Sequence, residues 1–186
     1  MPPVFAPPAA LALHCHPDSA DAAVRLLTVT LGREAGGAVL LDWRLDGELA
    51  ALCIPDATQT LPPERLWAHT CFELFVAACG ESAYREFNFS PGGQWMRFDF
   101  SDYRQRVASP AGPAPMIAVS RSPGALSMAV RLPAEHLPAG DLAIGLTAVV
   151  EHADGSHCYW ALSHPAGRPD FHHRDGFAVV LKASTP

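Results

Sequence analysis

The residues from Cys71 to Phe89 constrain this 186-residue chain most strongly. Phe72, Leu74 and Val76 alternate with Cys71, Glu73, Phe75 and Ala77, and Phe87 and Phe89 alternate with Glu86 and Asn88. A β-strand sends successive side chains to opposite faces, so this period of two predicts two strands. One face is apolar enough for a core. The other carries Glu73, Glu86 and Asn88 among aromatic neighbours. Aromatic surface beside a few convergent polar groups is the usual make-up of a small-molecule site, so this face reads as a lined groove. The competing reading is a satisfied polar pair within the sheet, or a salt bridge to Arg85 or Arg97.

The rest of the chain repeats the strand signal. Residues 24–31 are rich in Val, Leu and Thr, and residues 39–45 alternate with Trp43 in phase with Val39, Leu41 and Leu45. Asp46-Gly47 closes a hairpin, with 50–54 as the expected return strand. In residues 95–100, Met96, Phe98 and Phe100 take the core phase, and Trp95 shares the other phase with Arg97 and Asp99. Residues 102–106 (DYRQR) read as one helical turn. Two runs around Ser122-Pro123-Gly124 form another hairpin. Residues 142–151, 157–162 and 177–181 supply the remaining strands, with a long loop over 163–176. Amphipathic helices of ordinary length, repeats and composition shifts are missing. Nine to eleven short strands separated by Gly, Pro and Asp-Gly signals predict an all-β sandwich or barrel. Residues 1–20, rich in Pro and Ala, read as an arm on a single domain spanning 21–186.

Composition excludes several functions. A net charge of −6 with no basic stripe argues against nucleic acid, which needs clustered cations. No run approaches the roughly 18 apolar residues of a membrane span. The proline-broken start does not read as a secretion signal, so a cytoplasmic location is expected. The oligomeric state is left open.

Three blocks, LWAHTCFELFVA, YREFNFSPGGQW and YWALSHPAGRPDFHH, resemble the DOMON-like bacterial proteins. Their domain is similar to the family 9 carbohydrate-binding modules. The resemblance implies a jelly-roll-like β-sandwich. Relatives across the wider superfamily bind sugars or haem. In the sugar-binding relatives two tryptophans sandwich a sugar ring and polar side chains hold its hydroxyls. By residue type and approximate strand, Trp95 and Trp160 take that role here, with Trp67 and Tyr159 in reserve. Those relatives also carry calcium sites, but no Asp-rich loop here supports one.

The expected function is a non-catalytic module that binds a carbohydrate or similar polyhydroxylated molecule on an aromatic-lined sheet face. Trp67, Glu73, Asn88, Trp95, Tyr159, Trp160, His164, Arg168 and His172 are the expected ligand-binding residues. Glu73 and Asn88 line the face, and His164, Arg168 or His172 sit on its rim. Arg168 offers a forked donor for a carboxylate, either Glu73 or a ligand group. No catalytic residue, metal ligand or cofactor is expected. Haem is the first alternative, with Met96 or Met128 as a ligand, though both lie in core phase. An enzyme built on the Glu73/Asn88 groove and the 164–173 histidine loop is the second, with Glu73 and Glu86 as an acid–base pair or a Cys–His dyad from Cys71 or Cys158 with His69 or His157. Metal at that loop or at His14-Cys15-His16 is a lesser one. Adjacent His172 and His173 point opposite ways on an extended backbone, so one at most faces inward.

Five cysteines at positions 15, 53, 71, 79 and 158, an odd number with no CxxC pair, predict reduced thiols. Thiol titration of the denatured, unreduced protein should count all five; three or fewer would contradict this.

Overall fold

Alternating runs build a two-layer antiparallel sandwich in the computed structural model, which describes residues 9–19 and 22–183. Twelve strands occur among those residues: β1 Leu11–Cys15, β2 Val24–Arg33, β3 Val39–Gly47, β4 Cys71–Ala78, β5 Tyr84–Phe89, β6 Trp95–Asp102, β7 Gln105–Val107, β8 Met116–Ser122, β9 Ala125–Leu132, β10 Leu142–Glu151, β11 His157–Ala161 and β12 Val179–Leu181. One layer runs β8-β9-β3-β2-β1 and the other β7-β6-β5-β4-β10-β11-β1, with β12 beside β10. Strand β1 joins them. Leu11, Ala12 and Leu13 pair with β2, whereas His14 and Cys15 pair with β11.

The core lies between the layers. Leu27, Val29, Leu41, Trp43 and Leu45 from one sheet meet Phe72, Leu74, Val76, Phe87 and Phe89 from the other. Trp43 and Phe72 stand with ring centroids 5.2 Å apart, which ties the two layers together. Trp43 takes the core position its phase predicts.

Four expectations are corrected. The boundary at residue 20 does not hold, because β1 is an integral strand; residues 1–8, 20 and 21 lie outside the described residues. Residues 50–54 do not form a strand. Leu49–Ala51 is a 3₁₀ turn, and Leu52 alone bridges His152. Residues 102–106 are not helical. They turn β6 into β7, with Arg104 in the left-handed region at φ 54°. The phase of β6 is also inverted. Trp95 packs on the inter-layer core, and Arg97 is buried against Asp99 at 2.6 Å and near His136 at 3.3 Å. Met96, Phe98 and Phe100 lie on the opposite, outer face. Both faces of β6 are covered, so hydrophobicity alone could not say which one was the core.

No disulfide joins any of the five cysteines among the described residues, and Cys71 and Cys158 are buried. Among the described residues no helix is long and apolar enough to cross a membrane.

Trp43 is 1% exposed, and its indole N–H has no hydrogen-bond partner among the described residues. Trp43→Ala should cost about 3–5 kcal/mol by opening a cavity. Trp43→Phe should cost clearly less, because it fills part of that cavity and removes the unpaired donor. Urea denaturation of the two variants checks the order.

Candidate functional site

The outer face of the second layer is a second, smaller core. Phe75 and Ala77 from β4, Tyr84 from β5 and Phe98 and Phe100 from β6 gather there with Phe177, and Met96 and Phe171 pack against them. The loop after β11 lies down on this face. Gly145 of β10 permits it. A Cβ there would stand 3.3 Å from both Phe177 and Phe75, tighter than ordinary van der Waals contact. Tyr103 and Arg104 clasp the loop at Asp170, through Tyr103 Oη to Oδ2 at 2.6 Å and Arg104 Nη2 to Oδ1 at 2.9 Å.

Between loop and sheet remains a cleft of about 420 Å³, within the ordinary range of small-molecule pockets. Its walls are Trp67, Phe98, Phe100, Tyr159 and Phe171. Glu73 and Glu86 form its floor, and Arg104, Arg106 and His172 also line it. Another hollow of about 480 Å³, lined by Thr28, Asp42 and Arg44 among others, lies over the opposite layer. The buried carboxyl groups distinguish the first.

Register explains the floor. Glu73 faces Asn88 across β4 and β5 and Thr147 across β4 and β10, and Glu86 faces Phe75 one step along. The Thr147 hydroxyl donates to Glu73 Oε2 at 3.0 Å. The Asn88 amide donates to Glu86 Oε1 at 2.6 Å. Burial holds the Glu73 carboxyl well above the usual carboxylate range, and the charge of Glu86 adds to the effect. Burial likewise raises Glu86 to about 7, against the pull of Asn88, Arg106 and Arg104. Glu73 therefore stays protonated, and Glu86 exchanges its proton near neutrality. Burial lowers His172 to about 4, with the Arg104 charge adding to it, so the ring is neutral. The Tyr84 hydroxyl accepts from the Arg104 backbone N–H at 3.0 Å and shares a second hydrogen bond with His172 Nδ1 at 2.8 Å. The other ring nitrogen, His172 Nε2, lies 3.7 Å from Glu86 Oε2.

The expected residues divide. Glu73, Trp67, Tyr159 and His172 line the cleft, and Asn88 lies beneath it, fully buried. Trp67 remains 48% exposed, with its indole N–H held by Glu64 O at 3.0 Å, so it offers a ring face. Trp95 and Trp160 are not in the cleft. Both pack on the inter-layer core, Trp160 because it pairs with Ala148 on the inward side while its neighbour Tyr159 points outward. A sugar sandwich by those two tryptophans is therefore ruled out by strand phase. His164 does not line the cleft but stands behind its Phe171 wall, ring centroids 6.4 Å apart, with Nε2 2.8 Å from the His14 carbonyl. Arg168 is exposed and, among the described residues, makes no ion pair with Glu73. Gly167 just before it takes a positive φ of 100°, a conformation that favours glycine. His173 points away from the cleft and caps a 3₁₀ turn.

The alternatives fare unevenly. Met128 is in the inter-layer core and Met96 on the outer face, so the two thioethers do not share a site. Among the described residues no three His, Cys, Asp or Glu side chains converge as a metal site. His69 is engaged by Glu151 at 2.9 Å, and burial pushes the Cys71 thiol up, which suits an inert thiol.

Glu86, Phe171, Arg104 and Arg106 were not among the expected site residues. Glu86 shares the phase of Asn88 two residues away, a signal that was legible. The arginines depended on a hairpin that the DYRQR run does not advertise.

No family model and no curated protein matches this chain. Its fold is similar to the crystal structure of a candidate carbohydrate-binding protein from Bacteroides uniformis, with a TM-score of 0.63 over 89% of this chain and 81% of that one. The two are 14% identical, so the likeness establishes a shared fold.

The raised Glu86 carboxyl makes stability depend on pH. Folding favours its protonated form, so its contribution is fully present below the unfolded value of 4.5 and is lost as pH rises to about 7. The loss amounts to about 3 kcal/mol. Glu86→Gln keeps an acceptor for Asn88 without the charge. It should match the wild type in urea melts near pH 4.5 and exceed its stability at pH 8. Equal stability at both pH values would contradict the burial account.

Proposed function

We propose that the protein is a non-catalytic module that binds a carbohydrate or similar polyhydroxylated small molecule in the outer-face cleft. The observation that carries this reading is the pairing of aromatic walls with a floor of buried carboxyl groups. The ring faces of Trp67 and Tyr159 suit the apolar face of a sugar ring. A protonated carboxyl both donates and accepts, as vicinal hydroxyls require, and Glu73 has that character. Thr147 and Asn88 fix the two carboxyl groups in place, so little order is lost when a ligand arrives. The fold shared with a candidate carbohydrate-binding protein supports the same reading.

A glycan array followed by calorimetry tests it. Trp67→Ala and Tyr159→Ala should each weaken binding of an array hit by about tenfold, the loss of roughly 1.4 kcal/mol of contact. Arg44→Ala, on the opposite layer, should leave binding unchanged, and the glycan should be recovered intact. A blank array, or binding indifferent to Trp67 and Tyr159, would overturn the proposal.

A further inference from the structure

We propose that this cleft takes an acidic polyhydroxylated ligand, a uronic acid or a related sugar acid, with Arg106 pairing with its carboxylate while Glu86 takes up a proton. The inference rests on the carbohydrate reading above and names the ligand class.

Arg106 carries the first part. It stands opposite Phe100 on β7, so it shares the outer face. Its guanidinium carbon lies 4.1 Å from the Phe98 ring centroid, and the side chain lines the cleft. The stacking presets the guanidinium plane. Among the described residues its N–H groups meet no acceptor. Arg104, by contrast, is committed to Asp170 and Tyr103. A stacked guanidinium with free donors at the mouth of a sugar-sized cleft suits a planar carboxylate, which it can grip through two parallel bonds. The hydroxyls of the same ligand then reach Glu73 and Glu86 below.

The charges around Glu86 carry the second part. From β4 it faces Glu73 and the Cys71 thiol, from its own strand Tyr84 and Asn88, from β7 and the turn before it Arg106 and Arg104, and from the loop His172, while Asp170 of the loop stands against Arg104. Thr147 of β10 is uncharged. Glu73 is protonated and His172 is neutral near pH 7. Two arginines against Asp170 leave one net positive charge when Glu86 is protonated, and none when it is ionised. A ligand carboxylate therefore competes with the Glu86 carboxylate for one cationic field. Binding draws a proton onto Glu86, and affinity falls as pH rises.

Calorimetry with sodium D-glucuronate and sodium D-galacturonate, against D-glucose and D-galactose, tests this between about pH 6 and pH 8.5. At least one acid should bind about tenfold more tightly than its neutral counterpart at the lower pH. Its affinity should fall by up to about tenfold per unit above pH 7, the limit for one linked proton. Arg106→Gln, at an exposed position, should erase the preference for the acid over its neutral counterpart. Glu86→Gln should flatten the pH dependence. Neutral sugars binding as tightly as the acids, or a pH dependence that survives in Glu86→Gln, would overturn the inference. If neutral glycans bind in a Trp67-dependent way and the acids gain nothing, this inference falls and the proposed function stands. If no glycan of either kind binds, both fall.

Discussion

Two carboxyl groups, Glu73 and Glu86, lie side by side on the outward face of a β-sheet and are 2% and 6% exposed. An ionised carboxylate taken out of water is costly unless it is paired or neutralised. Here the Glu73 cost is removed by keeping its proton. That of Glu86 is offset in part by the Asn88 amide and by the field of two arginines. The arrangement needs a cover, because an open sheet face would let water in and restore ordinary ionisation. The loop after β11 supplies it through Phe171, His172 and Phe177.

The cover depends in turn on distant parts of the chain. Gly145 leaves room for the loop to lie against β10 and Phe75. The β6–β7 turn reaches over through Tyr103 and Arg104 to hold Asp170. Tyr84 bonds both this turn and His172, so sheet, turn and loop meet at one hydroxyl. The inter-layer core behind β4 and β5 keeps the two floor strands in register. Sequence patterning thus acts on the site twice: inward residues fix the platform and outward residues furnish it.

Much of this was legible in the chain. Alternation in residues 71–77 and 86–89 gave the strands and separated Glu73 and Asn88 from the core. Trp43 followed its phase to the interior. The loop of residues 163–176 brings Pro169, Phe171 and His172 to the Glu73 face, with His172 near Glu86 and His173 exposed. Trp95 and Trp160 were misassigned because each sits in a strand covered on both sides, where apolar residues occupy both phases and alternation loses its meaning. Arg168 stays exposed although Pro169, Phe171 and His172 beside it line the cleft, a distinction that a loop without regular periodicity does not carry in its sequence. Arg106 was missed because a three-residue edge strand carries almost no periodic signal.

The central claim is that the floor carboxyl groups are sealed from water and share their charge unequally. Carboxyl ¹³C NMR of the glutamates across a pH titration tests it most directly. One floor signal, assigned to Glu86 by its loss in Glu86→Gln, should titrate near pH 7. The Glu73 signal should stay protonated well past the ordinary carboxylate range. Both signals titrating near the ordinary value of about 4.3 would mean an open, hydrated face, and would contradict the account.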